Sequence, residues 1–292
     1  MGNRTWATAL LVTVAALAAG CGGGEVDAGQ AEGGDAAAAT AERTSGGGGD
    51  AGADSDSAGL LAERVMEWHG GRDAWEATRF LRFDWIVERD GETASRRSHA
   101  WDRWEGDYRL SYTGDDDTRV VALFSLPTLA SDTVSPVGDV WEDGDRLEGA
   151  ARDSALEQAY RAVVNDSYWL LMPLKWEDPG VDLEYAGREE LPDGESYPSV
   201  HLTFEEGLGV TNDEYWGFVD PETGEMSAWR FHLEGDEQKG PVIWWRDWRA
   251  FGPQQLKLAL DRRFEAGPVR IRFEEVAADT AVPDGVFTPP SE

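Results

Sequence analysis

The sequence has little positive charge and almost no cysteine. Its 292 residues carry 26 Lys and Arg against 57 Asp and Glu, a net charge of −31, and only three of the basic residues are lysines. Phosphate backbones are bound by clustered cations, so this balance excludes nucleic acid as a partner. It also excludes electrostatic docking onto anionic lipid. A single cysteine, Cys21, allows no internal disulfide and no cysteine-based zinc site. The four histidines (His69, His99, His201, His232) are scattered. No G-x-S-x-G, phosphate loop or H-E-x-x-H is present. The Asp115-Asp116-Asp117 run lacks the spacing of a calcium loop and reads as a solvated hairpin tip. No metal and no cofactor is therefore expected. No apolar run is long enough to span a bilayer.

What is present begins with a leader. Arg4 precedes an apolar run from Ala7 to Ala19, followed by small residues, which is the layout of a secretory signal. Leu17-Ala18-Ala19-Gly20-Cys21 resembles a bacterial lipobox, with Ala18 departing from the usual larger apolar residue. That resemblance implies that Cys21 is acylated and becomes the first mature residue. Two or more acyl chains, such as palmitate, would anchor the chain stably. Gly22 does not supply the aspartate of an inner-membrane retention signal. The expected location is thus the bacterial envelope, on the periplasmic face of the outer membrane.

Residues 22–57 are mostly Gly, Ala, Ser, Asp and Glu, with no aromatic residue and Val26 as the only large apolar one. Such a stretch buries too little surface to offset its ordering entropy and reads as a disordered acidic tether. Its end-to-end distance is roughly 30–35 Å. The tether has a net charge of −7 and the leader +1, so −25 remains on residues 58–292. The acidity belongs to the folded part.

That part reads as one mainly β domain. Ala58, Leu61, Val65 and Trp68 form a helical face stopped by Gly70-Gly71, and Arg72–Ala77 a short second turn. Period-two alternation then marks strand after strand, beginning at Leu81, Phe83, Trp85 and Val87 and ending at Val269, Ile271 and Phe273. Asp90-Gly91 and Asp143-Gly144 are hairpin signals, and Asp220–Gly224 is a third turn. Leu156, Ala159, Tyr160, Val163 and Val164 switch to helical spacing. Ser154 and Glu157 have capping-box spacing at its start, and Asn165-Asp166 is expected to end it. About ten antiparallel strands with an N-terminal helix and one inserted helix make a strongly curved sheet, or half-open barrel, whose apolar face the helices and residues 168–174 must cover as a lid.

Thirteen of the fourteen tryptophans lie in this domain. Spread over most strands, they either pack a core or line a cavity. Trp244 and Trp245 are adjacent in a strand, so they point to opposite faces. The aromatic and apolar residues that would line a concave ligand surface are Phe83, Trp85, Trp101, Tyr160, Trp169, Met172, Trp216, Phe218, Trp229 and Phe231.

Several segments resemble a family. His69-Gly-Gly-x-x-Ala-Trp75, His99-x-Trp-Asp102, Tyr168–Lys175 with Asp178-Pro-Gly-Val181, Tyr215-x-x-x-Val-Asp-Pro-x-Thr-Gly224 and Phe287-x-x-Pro are similar to a family of uncharacterised bacterial envelope lipoproteins. That family is similar in turn to the LolA/LolB lipoprotein-carrier superfamily. The resemblance covers about residues 68–289. It implies a half-open antiparallel barrel, apolar inside and closed by helices, that holds acyl chains and has no catalytic residues to carry over. Three readings stand open. The first is an anchored, monomeric, non-enzymatic protein that binds a lipid, an acyl chain or another hydrophobic molecule. The second is a structural or partner-binding module whose tryptophans fill its own interior. The third is a hydrolase built on a His–Asp pair.

Overall fold

In the computed structural model, residues 51–114, 117–126, 136–205, 213–265 and 267–290 are described, with residues 51–56 described in backbone only. Cys21, most of the tether, and Asp115 and Asp116 lie outside the described residues.

Two helices come first, α1 (Ala51–Trp68) and α2 (Arg72–Ala77). Six strands follow: β1 (Phe80–Arg89), β2 (Glu92–Asp102), β3 (Asp107–Thr113), β4 (Arg119–Ser125), β5 (Val137–Glu142) and β6 (Asp145–Arg146). Helix α3 (Gly149–Leu171) and a 3-10 turn (Met172–Lys175) lead to seven more: β7 (Val181–Glu190), β8 (Ser196–Phe204), β9 (Glu214–Val219), β10 (Met226–His232), β11 (Ile243–Phe251), β12 (Leu256–Phe264) and β13 (Val269–Asp279). All thirteen strands form one sheet in the order β6-β5-β4-β3-β2-β1-β13-β12-β11-β10-β9-β8-β7. Each paired neighbour is antiparallel. The sheet is curved and unclosed, as the alternation implied.

The topology forces a crossing. The first and last strands pair at the centre, Trp85 opposite Phe273. The chain walks outward from β1 to the β6 edge and must reach the β7 edge before walking back. Helix α3 makes that passage and packs on β4, β5 and β12. Six inter-strand steps separate β5 from β12, about 29 Å at the spacing of a sheet. The 23 residues of α3 span about 35 Å. The helix is long enough to cover the sheet along this line.

The tight turns follow their sequences. Asp90 and Gly91 have φ of 54° and 83°, and Asp143 and Gly144 have φ of 50° and 95°. Positive φ at both central residues matches the right-handed twist of a hairpin.

Three elements differ from expectation. Helix α1 starts at Ala51, inside the stretch that reads as tether. Helix α3 starts at Gly149 with Glu148 as its N-cap, so Ser154 lies inside it and caps nothing. It also runs through Asn165-Asp166, because Asp166 is buried against sheet side chains rather than turned to solvent. The third is β7, absent from the sequence reading. Its alternating Val181, Leu183 and Tyr185 are half-buried.

Two apolar clusters lie on the covered face. The larger gathers α1, the C-terminal end of α3 and the 3-10 turn over β1 and β7–β13. The smaller sets Leu156, Ala159 and Val163 of α3 on Tyr108, Leu110, Val120, Ala122, Phe124 and Val140. A third cluster (Leu191, Trp216, Phe218, Ala228, Val242) is on the opposite face.

Gly217 is fixed by one contact. A Cβ there would sit 2.2 Å from Cζ2 of Trp176, whose indole lies on the β9 backbone. Gly217→Ala should therefore lower stability by about 1–3 kcal/mol. This outweighs the roughly 0.5–1 kcal/mol that alanine gains over glycine in a regular element. Equilibrium urea unfolding measures it. An unchanged or raised midpoint would show that Trp176 does not rest there.

Candidate functional site

The covered face of the sheet carries a continuous row of rings. Tyr168 of α3 meets Tyr215 edge-on with centroids 5.4 Å apart, and Tyr215 stacks on Trp229 at 5.2 Å. Trp229 meets Trp245 edge-on at 6.0 Å, and Trp169 of α3 meets Trp229 at 4.7 Å. Period-two alternation places these β9, β10 and β11 side chains on one face. Trp169, Trp229 and Trp245 are at most 1% exposed.

Eight of the ten residues expected to line a ligand surface are on this side. Phe83, Trp85, Trp169, Met172, Trp229 and Phe231 belong to the larger cluster, and Trp101 packs against both clusters. Tyr160 packs, half-buried, under α3. Phe83 stacks on His99 at 4.5 Å, and Trp85 lies 4.1 Å beneath the Arg97 guanidinium. Trp176 Nε1–H donates to the Met172 sulfur. Trp216 and Phe218 are not with the others. They face the opposite side beside Leu191 and Val242, with Trp244 against that cluster, while Trp245 is inside.

Sequence reasoning missed the two polar fastenings that hold α3 to this face. The first is Asp166. Arg97 donates to both of its oxygens at 2.6 and 2.7 Å. His99 Nε2–H donates to it at 3.0 Å, which leaves Nδ1 to accept the Tyr108 hydroxyl at 3.1 Å. Burial alone would raise the Asp166 carboxyl, but the Arg97 charge and the bonds from His99 and Arg97 outweigh it and hold it below the ordinary value. Burial pushes His99 down despite the pull of Asp166.

The second fastening is Arg262, fully buried on β12. Its Nε and one terminal nitrogen donate to the Trp169 carbonyl at 2.9 and 2.6 Å, and the other donates to the Ala259 carbonyl at 3.1 Å. The guanidinium lies 3.4 Å from the Trp245 ring centre and 5.0 Å from that of Phe273. The last carbonyls of a helix lack internal partners and carry partial negative charge. Arg262 answers that charge without a carboxylate.

Five of the donors left over are on the same face. Among the described residues, the buried indole N–H groups of Trp85, Trp101, Trp229 and Trp245 and the Tyr215 hydroxyl have no hydrogen-bond partner. Burial pushes the Tyr215 hydroxyl far above its ordinary value. The surface can thus hold an apolar body and offer hydrogen bonds to an acceptor.

The histidines do not converge. His99 pairs with Asp166, His201 with Glu214 at 2.9 Å, and His232 Nε2–H donates to the Asp236 carbonyl at 2.8 Å. His69 Nδ1–H donates to the Lys257 carbonyl at 2.6 Å. No group of three or more metal-ligating side chains occurs among the described residues. No described helix is long and apolar enough to cross a membrane.

With this geometry in place, no family model and no curated protein matches the chain. Solved structures are similar at low identity. One is a DUF1329 family protein from Desulfovibrio piger, 12% identical over 80% of this chain and 97% of that one, with a TM-score of 0.46. Another is a LolA superfamily protein from Nitrosomonas europaea, 11% identical over 78% and 97%, with a TM-score of 0.42. A third is the Mycobacterium tuberculosis lipoprotein LppX, 10% identical over 75% and 94%, with a TM-score of 0.24.

The buried histidines give the fold a pH dependence. Burial lowers His69 from 6.5 to about 4, the Lys257 bond opposing it only in part. Between these values the unfolded chain binds a proton that the folded one refuses, so stability falls as pH drops from about 6.5 to about 4. The loss from His69 alone should be roughly 2 kcal/mol by pH 5. Asp213, raised by burial to about 6, acts in the opposite direction over part of that range. Urea midpoints of the parent and His69→Gln at pH 7.5 and 5 separate the two. A parallel pair of pH profiles would remove His69 as the cause.

Proposed function

We propose that the protein is a lipid-anchored envelope protein that takes a hydrophobic ligand, a lipid or an acyl chain, on the covered face of its half-open sheet. The observation that carries this reading is the set of unpartnered donors among the aromatic row. A core that is simply packed leaves few buried donors unpaired, because each costs about 1–3 kcal/mol. Four indole N–H groups and a tyrosine hydroxyl on one face suit a ligand with an apolar body and an acceptor oxygen, as in a fatty acid or an ester. Burial of a 16-carbon chain contributes on the order of 10 kcal/mol before ordering costs.

The fastenings of α3 suggest the route. Asp166 and the Trp169 carbonyl hold its C-terminal third to β2 and β12. Its N-terminal part is held by the smaller cluster, with Leu156, Ala159 and Val163 as its buried contacts. Lifting that part would uncover β3–β5 and the edge of Trp101, which packs against both clusters, while the fastened end acts as the hinge.

A second reading is favoured by the depth of the rings. Trp169, Trp229 and Trp245 are packed against one another, as in a module that fills its own interior. Ligand binding separates the two. Full-length protein extracted in neutral detergent should release a bound lipid to mass spectrometry, and a fluorescent fatty acid should quench its tryptophans saturably. Trp229→Phe, which keeps a ring and removes an N–H, should weaken the fatty acid about three- to tenfold. Absence of both lipid and binding would leave the self-filled module.

The anchor is tested apart from the ligand. Cys21→Ser should move the protein from the membrane to the soluble fraction of its bacterial host. Persistence in the membrane fraction would overturn the lipidation of Cys21.

A further inference from the structure

The outer face of the sheet holds an arginine pair that no carboxylate among the described residues matches. Arginines on this acidic domain are mostly matched to carboxylates. Arg96, for example, reaches Asp84 at 2.7 Å and Glu274 at 3.1 Å. Arg109 on β3 and Arg119 on β4 are exceptions. Neither has an ion pair with a carboxylate of a described residue. Arg109 donates only to the Thr288 carbonyl, at 2.9 Å. The Arg119 side chain has no hydrogen bond to a described residue; its backbone N–H donates to the Asp143 carboxylate and its carbonyl accepts from the Asp143 N–H, each at 2.9 Å.

The two side chains face one groove. Opposite Ser111 on β3 lies Val121 on β4, and opposite Thr113 lies Arg119, so both arginines flank a floor of Ser111 and Val121. Both line two adjoining hollows of about 620 and 580 Å³ that also share Ser98 and Ser111. Residues 285–290 of the C-terminal tail wall the second hollow. Burial, and then the charge of Arg119, lowers the Arg109 guanidinium below its ordinary value, so the two cations repel each other. Unpaired like charges beside hydroxyl donors cost stability until an anion bridges them.

We propose that Arg109 and Arg119, with the hydroxyls of Ser98 and Ser111, form a binding site for a phosphate-bearing anion on the outer face of the sheet. Two forked guanidiniums and two hydroxyls supply more donors than a carboxylate's two oxygens use and suit a tetrahedral oxyanion. The site lies across the sheet from the covered face and does not depend on the hydrophobic-ligand reading. The phosphate can belong to a lipid headgroup or to a free phosphate ester.

The test is calorimetry on the full-length protein in neutral detergent at low salt. The probes are inorganic phosphate, glycerol 3-phosphate and glycerophosphoglycerol, the deacylated headgroup of an anionic phospholipid. At least one should bind saturably, and Arg119→Gln should weaken it about tenfold or more. Arg152→Gln, which removes an equal charge from the exposed Arg152–Asp153 pair on α3, should leave it unchanged. Tightest binding by glycerophosphoglycerol assigns the site to a lipid headgroup, and tightest binding by either other probe to free phosphate. In phosphate-free buffer Arg119→Gln should melt at or above the parent temperature, because it relieves repulsion. The site is refuted by the absence of binding for all three probes, by equal losses in the two variants, or by a marked fall in melting temperature for Arg119→Gln.

Discussion

The buried guanidinium of Arg262 determines how this sheet is covered. A sheet whose first and last strands pair at its centre must send its chain from edge to edge, and the crossing helix then ends over apolar strands. Its last carbonyls need donors that those strands do not offer. Arg262 rises from β12 to the Trp169 carbonyl, sandwiched by the faces of Trp245 and Phe273. A lysine could not do the same, since its single ammonium lacks the planar fork and the weak hydration that allow an arginine to stack and donate at once. Asp166 completes the attachment one turn earlier, where two charges and a histidine are all hydrogen-bonded. Removing one partner from such a set strands a buried charge, at a cost of about 3–5 kcal/mol. The polar contacts therefore fix where α3 sits, and the apolar clusters supply most of the burial.

Much of this fold was legible in the sequence. The period-two runs of β1, β10 and β13 have one apolar and one polar side, and Asp90-Gly91 and Asp143-Gly144 name their own turns. What failed did so for local reasons. Asn165-Asp166 looks like a helix stop because both residues favour helix ends, and Arg97 and His99, 69 and 67 residues away, make a buried aspartate tolerable there. The strand β7 has an exposed acidic side and three modest apolar residues, so its alternation is faint. Tyr215-Trp-Gly-Phe-Val219 is apolar at every position, and periodicity cannot say which side is inward. Gly217 decides it, by admitting Trp176 against the β9 backbone. Arg262 did leave a trace. It falls in step with Leu256, Leu258, Leu260 and Phe264, and a charge in an apolar register implies a buried partner.

The segments that carry the family resemblance turn out to be joints. His69 ties the end of α1 to β12, and Gly70, at φ 117°, lies against the Gln255 carbonyl where a side chain would be strained. Asp102 takes Arg79 and the amides of Trp104 and Glu105. Gly224 closes its turn against the Arg64 carbonyl, 2.8 Å from where a Cβ would be. A pattern made of joints specifies an architecture and leaves the ligand free to vary. The face the joints enclose keeps donors, such as Trp229 Nε1, that no joint uses.

The acidity divides the two faces further. Where β13 lies between β1 and β12, Arg270 and Arg272 both reach Glu88, and Asp261 takes Arg263 and Arg270. The carboxylates of these pairs are largely buried while their arginines stay partly exposed. As a connected ladder, the pairs oppose a slip in register at the seam that joins the two ends of the chain, because a one-residue shift would turn every arginine inward. Carboxylates exceed cations over the domain as a whole, so outside the Arg109–Arg119 groove the outer surface carries a net negative charge that disfavours anionic lipid. Charge cannot bring such a domain to a membrane. An N-terminal acyl anchor of the kind proposed for Cys21 would do so without altering the surface, and would leave the apolar face free for the proposed hydrophobic ligand.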